Sequence, residues 1–211
     1  IQGEAGIVPA KKVFINEIKK LCRKNNALIV IDEVQSGVGR TGHLYAYEKY
    51  NIKPDILCSA KGMGNGIPIG AILTTNKVAK AMQVGAHGST YGGNPLACSV
   101  SYEVFKEVSK KSFLNSVIKK ERLFISLLND LNKKYNCFTA VRSAGLWIGL
   151  ELNPKMENLT LQNIMSSAYD EGLMILKANN NTLRLAPALT ISEKEIKLGV
   201  KKLEKSLSRL L

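Results

Sequence analysis

The sequence predicts an α/β fold: a mostly parallel sheet layered with helices, followed by a smaller α+β unit. Three observations carry that expectation. Ala27 to Val34 is a near-continuous apolar run, the pattern of a strand buried on both faces of a parallel sheet. Through the first half a helix, a strand, a loop and two further strands follow one another, with glycine and proline signals between them, the order of an α/β sheet layer. In the second half, strand pairs fall between long amphipathic helices, and 45% hydrophobic residues in 211 are enough for a sizeable core.

In chain order, Val13, Phe14, Ile18 and Leu21 recur at helical spacing with lysines opposite, which predicts a helix over 9–25. The strand at 27–34 follows, then strands over 55–59 and 70–74, each bounded by Gly or Pro. A long helix is expected over 93–111, with Pro95 in the first turn, where its missing N–H costs nothing. Leu114, Val117, Ile118, Phe124, Leu128 and Leu131 form an apolar stripe on a second helix, about 112–134. Strands near 137–142 and 146–152, a helix near 160–171, strands near 173–176 and 182–185, and a closing helix from Ser192 complete the order. Ser192 with Glu195 three residues on is a capping-box signature. The domain boundary is expected near Ser112, giving domains 1–112 and 113–211.

The formal charge is +13. A nucleic-acid face would gather that charge, but 15 basic side chains lie before residue 113 and 15 after it, mostly on the polar sides of helices. A solvated basic surface that helps draw in anionic substrates is therefore expected, with no nucleic-acid partner. No apolar stretch approaches the ~20 residues of a membrane helix, so no membrane partner is expected, and a cytoplasmic protein is the simplest class. Cys22, Cys58, Cys98 and Cys137 form no CxxC pair and read as reduced core thiols. His43 and His87 sit at no zinc spacing, and no metal is assigned.

Two strand ends carry the chemistry. The first ends in Asp32-Glu33; the second leads through Ala60 to Lys61 and the loop Gly62-Met63-Gly64-Asn65-Gly66. An aspartate and a lysine delivered this way suit pyridoxal phosphate: the lysine forms a Schiff base, and the aspartate holds a proton on the pyridine nitrogen. Taken singly, a lysine after a strand also reads as a solvated surface residue, and an acidic pair as a cap or loop charge. The glycine loop is a poor nucleotide site, since a dinucleotide fingerprint needs glycine at Ile67 or Ile69 and no GxxxxGK[ST] occurs. Gly88-Ser89-Thr90, ahead of a glycine pair and a helix start, suits a phosphate or a simple N-cap. Arg184, in the otherwise apolar run Leu183-Arg184-Leu185, suits a carboxylate or sits on an edge strand.

Five separated blocks resemble the class III aminotransferases. They are Ile1-Gln2-Gly3-Glu4-Ala5-Gly6, the run from Asp32-Glu33-Val34-Gln35 to Gly42, Pro54-Asp55-Ile56 with Ala60-Lys61-Gly62, the run from His87-Gly88-Ser89-Thr90 to Pro95, and Leu183-Arg184-Leu185-Ala186-Pro187. Within the family, 60–71 and Gly93 to Cys98 look most like the acetylornithine aminotransferase branch. The resemblance implies the C-terminal part of a fold-type I large domain plus a small domain, with the family's upstream half outside this sequence. It implies pyridoxal 5'-phosphate as cofactor and a homodimer with shared active sites. By resemblance Lys61 is the Schiff-base lysine and proton-moving base, in a buried site that keeps it neutral. Asp32 pairs with the pyridinium nitrogen, Val34 packs on the ring, Gln35 bonds the phenolic oxygen, and Ser89 and Thr90 bind phosphate, Thr90 that of the neighbouring subunit. Arg184 takes the α-carboxylate of glutamate or 2-oxoglutarate, and Glu4 pairs with Arg184 when the other amino donor occupies the site. The implied reaction is transamination between an amino donor and 2-oxoglutarate. The ornithine, succinylornithine and 4-aminobutyrate branches and glutamate-1-semialdehyde aminomutase share the chemistry; a non-catalytic basic binding module is the alternative from another class.

Overall fold

A computed structural model describes residues 1–211. The chain separates into two compact units, Ala10–Leu114 and a second formed by Ile1–Pro9 with Asn115–Leu211.

The Ala10–Leu114 unit opens with helix α1 (Lys12–Lys24) and continues through strands β1 (Val30–Asp32), β2 (Ile56–Ser59) and β3 (Ala71–Thr74), helix α2 (Asn76–Ala79) and helix α3 (Pro95–Val108). The sheet order is β1-β2-β3; β1 and β2 run parallel, and β3 joins antiparallel. Asp55 sets this pairing from just outside β2: its carboxylate accepts the Ile29 amide at 2.8 Å, and its carbonyl accepts the Thr74 hydroxyl at 2.9 Å. Pro95 occupies the first turn of α3, and Asn94 caps it by accepting the Ala97 amide at 2.9 Å.

The apolar run at 27–34 departs from expectation. Only three residues form strand, and Val30 is 57% exposed, not buried on two faces. β1 is an edge strand with one neighbour, and α1 buries none of its residues, leaving Val13, Phe14 and Leu21 exposed. A strand is covered on both faces only when helices lie on both sides of its sheet.

The second unit begins its regular structure with helix α4 (Lys111–Tyr135), whose first residues belong to the other unit, and continues with strands β4 (Phe138–Ser143) and β5 (Ile148–Leu152), helix α5 (Leu161–Asp170), strands β6 (Leu176–Lys177) and β7 (Thr182–Leu185), and helix α6 (Glu193–Ser208). The sheet is antiparallel throughout, in the order β4-β5-β7-β6. One face is apolar. Ile148 and Leu150 of β5 and Leu183 of β7 are fully buried, as are Leu128 of α4, Ile164 of α5, and Ile196 and Leu207 of α6. Each such side chain contributes about 1.5–3 kcal/mol on leaving water, which makes this the main core of the chain. The capping box opens α6, Ser192 and Glu195 each accepting the other's backbone amide.

On the opposite face β5 and β7 carry the polar side chains Glu151, Thr182 and Arg184, since successive residues of a strand point to opposite faces. Cross-strand register places Arg142 of β4, Gly149 of β5 and Arg184 of β7 in one row, with Glu151 and Thr182 forming the next pair. Ile1–Pro9 joins this unit because it packs here: Ile7 is fully buried with Trp147 and Ala178. Only Cys137 of the four cysteines is buried, and burial pushes its thiol pKa up. Cys98 is exposed and Cys22 and Cys58 half-buried, because their helix and strand faces lack a covering layer.

Candidate functional site

Parallel pairing makes β1 and β2 end at the same edge of their sheet. Asp32 is in register with Cys58, so Asp32 and the β2 exit through Ser59 and Ala60 to Lys61 lie on adjacent strands, roughly 5 Å apart in the pairing direction. The Glu33 amide donates to the Cys58 carbonyl at 2.9 Å and carries the pairing one residue beyond β1. The Asp32 carboxylate accepts the Val34 amide at 2.9 Å, an Asx turn that fixes it at the strand end. Lys61 has φ +47°, a left-handed conformation uncommon outside glycine. The loop after it is closed tightly, since a Cβ on Gly64 would lie 1.9 Å from the Ile67 carbonyl oxygen. Val34 and Gln35 are half-buried.

Lys61 is exposed, where a buried amine was expected. The neighbours on its C-terminal side include Gly62, Gly64 and Gly66, which offer no side chain to cover it, and the sheet beneath has only three strands. Ser89 and Thr90 lie in an exposed segment ahead of α3, where the Ser89 hydroxyl accepts the Gly92 amide at 2.9 Å. Glu4 and Arg184 belong to the other unit and form an ion pair, Nη1 to Oε1 at 2.9 Å. Arg184 is 21% exposed, so its guanidinium stands inward on the polar sheet face.

Two positioning residues were not singled out from the sequence. Glu33 is 1% exposed, and its carboxylate accepts the Ser36 hydroxyl (2.7 Å), the Ala46 amide (3.0 Å) and the Tyr47 amide (2.7 Å). It therefore pins both ends of the loop that follows Asp32, Val34 and Gln35. Tyr45 donates its hydroxyl to Ser59 at 3.1 Å, tying the same loop to the end of β2; burial pushes the phenol pKa up. The loop packs without slack: a Cβ on Gly37 would meet the Glu33 carbonyl oxygen and the Tyr45 ring at 2.8 Å. Ser36, three residues after Glu33, is the one local trace of this clamp; the other donors lie 13 and 14 residues away.

The donor set fits pyridoxal phosphate. A carboxylate and a primary amine on adjacent strand ends match its pyridine nitrogen and its aldehyde, and the glycines beside Lys61 allow a planar ring to approach the backbone.

Residues 1–207 match the family model described as Aminotransferase class-III. The whole chain is 48% identical to the acetylornithine/succinyldiaminopimelate aminotransferase of Buchnera aphidicola subsp. Schizaphis graminum and 47% identical to the acetylornithine aminotransferase of Vibrio parahaemolyticus, covering 52% of each. It thus spans about half the length of the curated relatives it matches. Among solved structures, the N-acetylornithine aminotransferase from Stenotrophomonas maltophilia K279a superposes with a TM-score of 0.90 at 33% identity, over 99% of this chain and 54% of that one. An ornithine aminotransferase from Plasmodium yoelii gives 0.92 at 31%, over 100% and 56%. The α/β class expected from the sequence is the class of these structures. By its match over nearly its full length, the chain belongs to the class-III aminotransferases, a family of pyridoxal phosphate enzymes.

Proposed function

We propose that the protein catalyses pyridoxal phosphate-dependent transamination, taking the terminal amino group of N-acetylornithine and passing it to 2-oxoglutarate, to leave N-acetylglutamate 5-semialdehyde and glutamate. The observation that carries the chemistry is the parallel β1–β2 pair, which brings Asp32 and Lys61 to one sheet edge with Lys61 in a left-handed conformation. The amino donor is supported by the names of the curated relatives, one of which also includes succinyldiaminopimelate. Ornithine is the second reading, favoured by the ornithine aminotransferase structures that superpose equally well.

When bound, pyridoxal phosphate supplies an electron sink for the bond-breaking step at the amine-bearing carbon. In this reading Asp32 would hold a proton at the pyridine nitrogen, and Lys61 Nζ would hold the cofactor at its aldehyde carbon and move a proton at the substrate carbon. Val34 would pack on the ring, Gln35 would bond its phenolic oxygen, Ser89 would donate to the phosphate, and Thr90 to that of the neighbouring subunit. Arg184 binds the α-carboxylate of 2-oxoglutarate or glutamate through its planar fork, and Glu4 neutralises it when the other donor is present. The Ala10–Leu114 unit then binds the cofactor, and Glu4 and Arg184 belong to the other unit. We extend the reading to a cytoplasmic homodimer in the arginine biosynthetic route.

The test is borohydride reduction of the protein isolated from its source, followed by peptide mapping, alongside glutamate formation from N-acetylornithine and 2-oxoglutarate. One reduced pyridoxyl phosphate on Lys61 is expected, and Lys61→Ala should lose both label and nearly all turnover. An unlabelled Lys61, or wild-type turnover in Lys61→Ala, refutes the reading.

A further inference from the structure

Glu4 sits in a turn whose shape is set by its own backbone. Gln2 and Val8 exchange amide hydrogen bonds at 3.0 Å, the Gly6 and Ile7 amides both donate to the Gly3 carbonyl, and Gly6 and Ile7 take positive φ values of 106° and 52°. A turn this small could project Glu4 in many directions relative to the sheet. Its placement comes from the row Arg142, Gly149, Arg184 on the polar face.

Gly149, in the middle of that row, has no side chain, and the turn occupies the gap: a Cβ at 149 would lie 2.6 Å from the Gly6 carbonyl oxygen. On one side Arg142 donates through Nε to the same Gly6 oxygen at 3.0 Å. On the other side Arg184 takes the Glu4 carboxylate at 2.9 Å. Arg142 is itself held by a short ion pair to Glu151 and by Thr182, 3.5 Å from its Nη2. Asn179 adds a donor to the Ala5 carbonyl at 3.0 Å, and Ile7 anchors the far end of the turn beside Trp147. The turn is therefore seated between two arginines with different duties, one gripping backbone and one meeting the carboxylate.

We propose that Arg142 and Gly149 are positioning residues that hold Glu4 against Arg184 and so set how strongly an incoming carboxylate must compete for that guanidinium. The proposal rests on the reading of Arg184 as the substrate-carboxylate site. Glu4 is 71% exposed, and an exposed carboxylate on a free loop pairs weakly because ordering it costs conformational entropy. Fixing the turn removes much of that cost before the pair forms, as pre-organisation does at any binding site. Residues that never touch the substrate would thereby determine its apparent affinity.

The test uses glutarate, a dicarboxylate with no keto group to react, titrated into the protein while the Arg184 Nε–Hε resonance is followed by NMR and assigned by its loss in Arg184→Lys. Glu4→Gln should bind glutarate more tightly than wild type. Gly149→Ala should tighten binding roughly twofold to fivefold, the span an exposed ion pair is worth. Arg142→Gln should act in the same direction and serves if Gly149→Ala fails to fold. Glu4→Gln/Gly149→Ala should bind no more tightly than Glu4→Gln alone, which separates a positioning effect from general loosening. If Glu4→Gln leaves Arg184 unresponsive to glutarate, the carboxylate-site reading fails. If Glu4→Gln tightens binding while Gly149→Ala and Arg142→Gln match wild type or weaken it, or if Gly149→Ala changes affinity equally with and without Glu4, the positioning proposal is overturned.

Discussion

Replacing Glu33 with alanine should cost the protein about 3 kcal/mol. In the native structure its carboxylate, 1% exposed, is the acceptor for the Ser36 hydroxyl and the Ala46 and Tyr47 amides. Alanine leaves these three donors without their acceptor, and each buried orphan costs on the order of 1–3 kcal/mol. Relief of the desolvated carboxylate offsets part of that sum, which brings the net loss to about 3 kcal/mol. For a chain of this size that is a fall in Tm of roughly 6–12 °C. Glu33→Gln retains one carbonyl acceptor but turns an NH2 toward the remaining donor, so its loss should be intermediate. Urea unfolding with amide hydrogen exchange reads both the amount and the place: the Ala46 and Tyr47 amides should exchange faster, and the β7 amides should be unaffected. A loss below about 1 kcal/mol, or unchanged protection at Ala46 and Tyr47, would show that Glu33 does not clamp the loop after Asp32.

The other unit offers two simpler checks. Leu150→Ala, at a fully buried position in β5 between β4 and β7, should cost about 2–5 kcal/mol in urea unfolding, whereas Leu176→Ala, half-exposed on the edge strand β6, should cost under about 1 kcal/mol. Glu171 accepts from Lys205 at 2.8 Å and pairs with Arg209 at 2.5 Å, and the Lys205 hydrogen bond, foremost, holds its carboxyl below the ordinary 4.5. Because the folded pKa is the lower one, this contribution is complete above pH 4.5 and is lost as pH falls through the folded value. Glu171→Gln should therefore flatten the acid limb of the stability–pH curve and leave its slope near neutrality unchanged; an unaltered acid limb would remove Glu171 from that role.

Local chemistry made several of these features readable in advance. The capping box at Ser192 and Glu195 and the apolar stripe of α4 depend on residues three or four apart, so their partners are fixed by helical geometry alone, and Pro95 in the first turn of α3 depends only on its own missing N–H. The strand ends at Asp32 and before Lys61 were legible for a similar reason, since apolar runs bounded by acids, Gly or Pro mark where a buried strand must stop. Burial was not legible at β1 and α1: their sequences are as apolar as core elements, yet Val30 and Phe14 are exposed because covering a face needs a second layer, which no local pattern specifies.

The sequence by itself determined the class of fold, the order of its elements and the residue types able to hold pyridoxal phosphate, because these follow from short-range spacing and side-chain chemistry. Only the tertiary structure decided the register that sets Asp32 beside Cys58, that Glu33 gathers donors from 13 and 14 residues away, and that the Glu4 turn is seated over Gly149. Strand register and buried hydrogen bonds are long-range choices, made when whole faces pack and every polar group must find a partner at once.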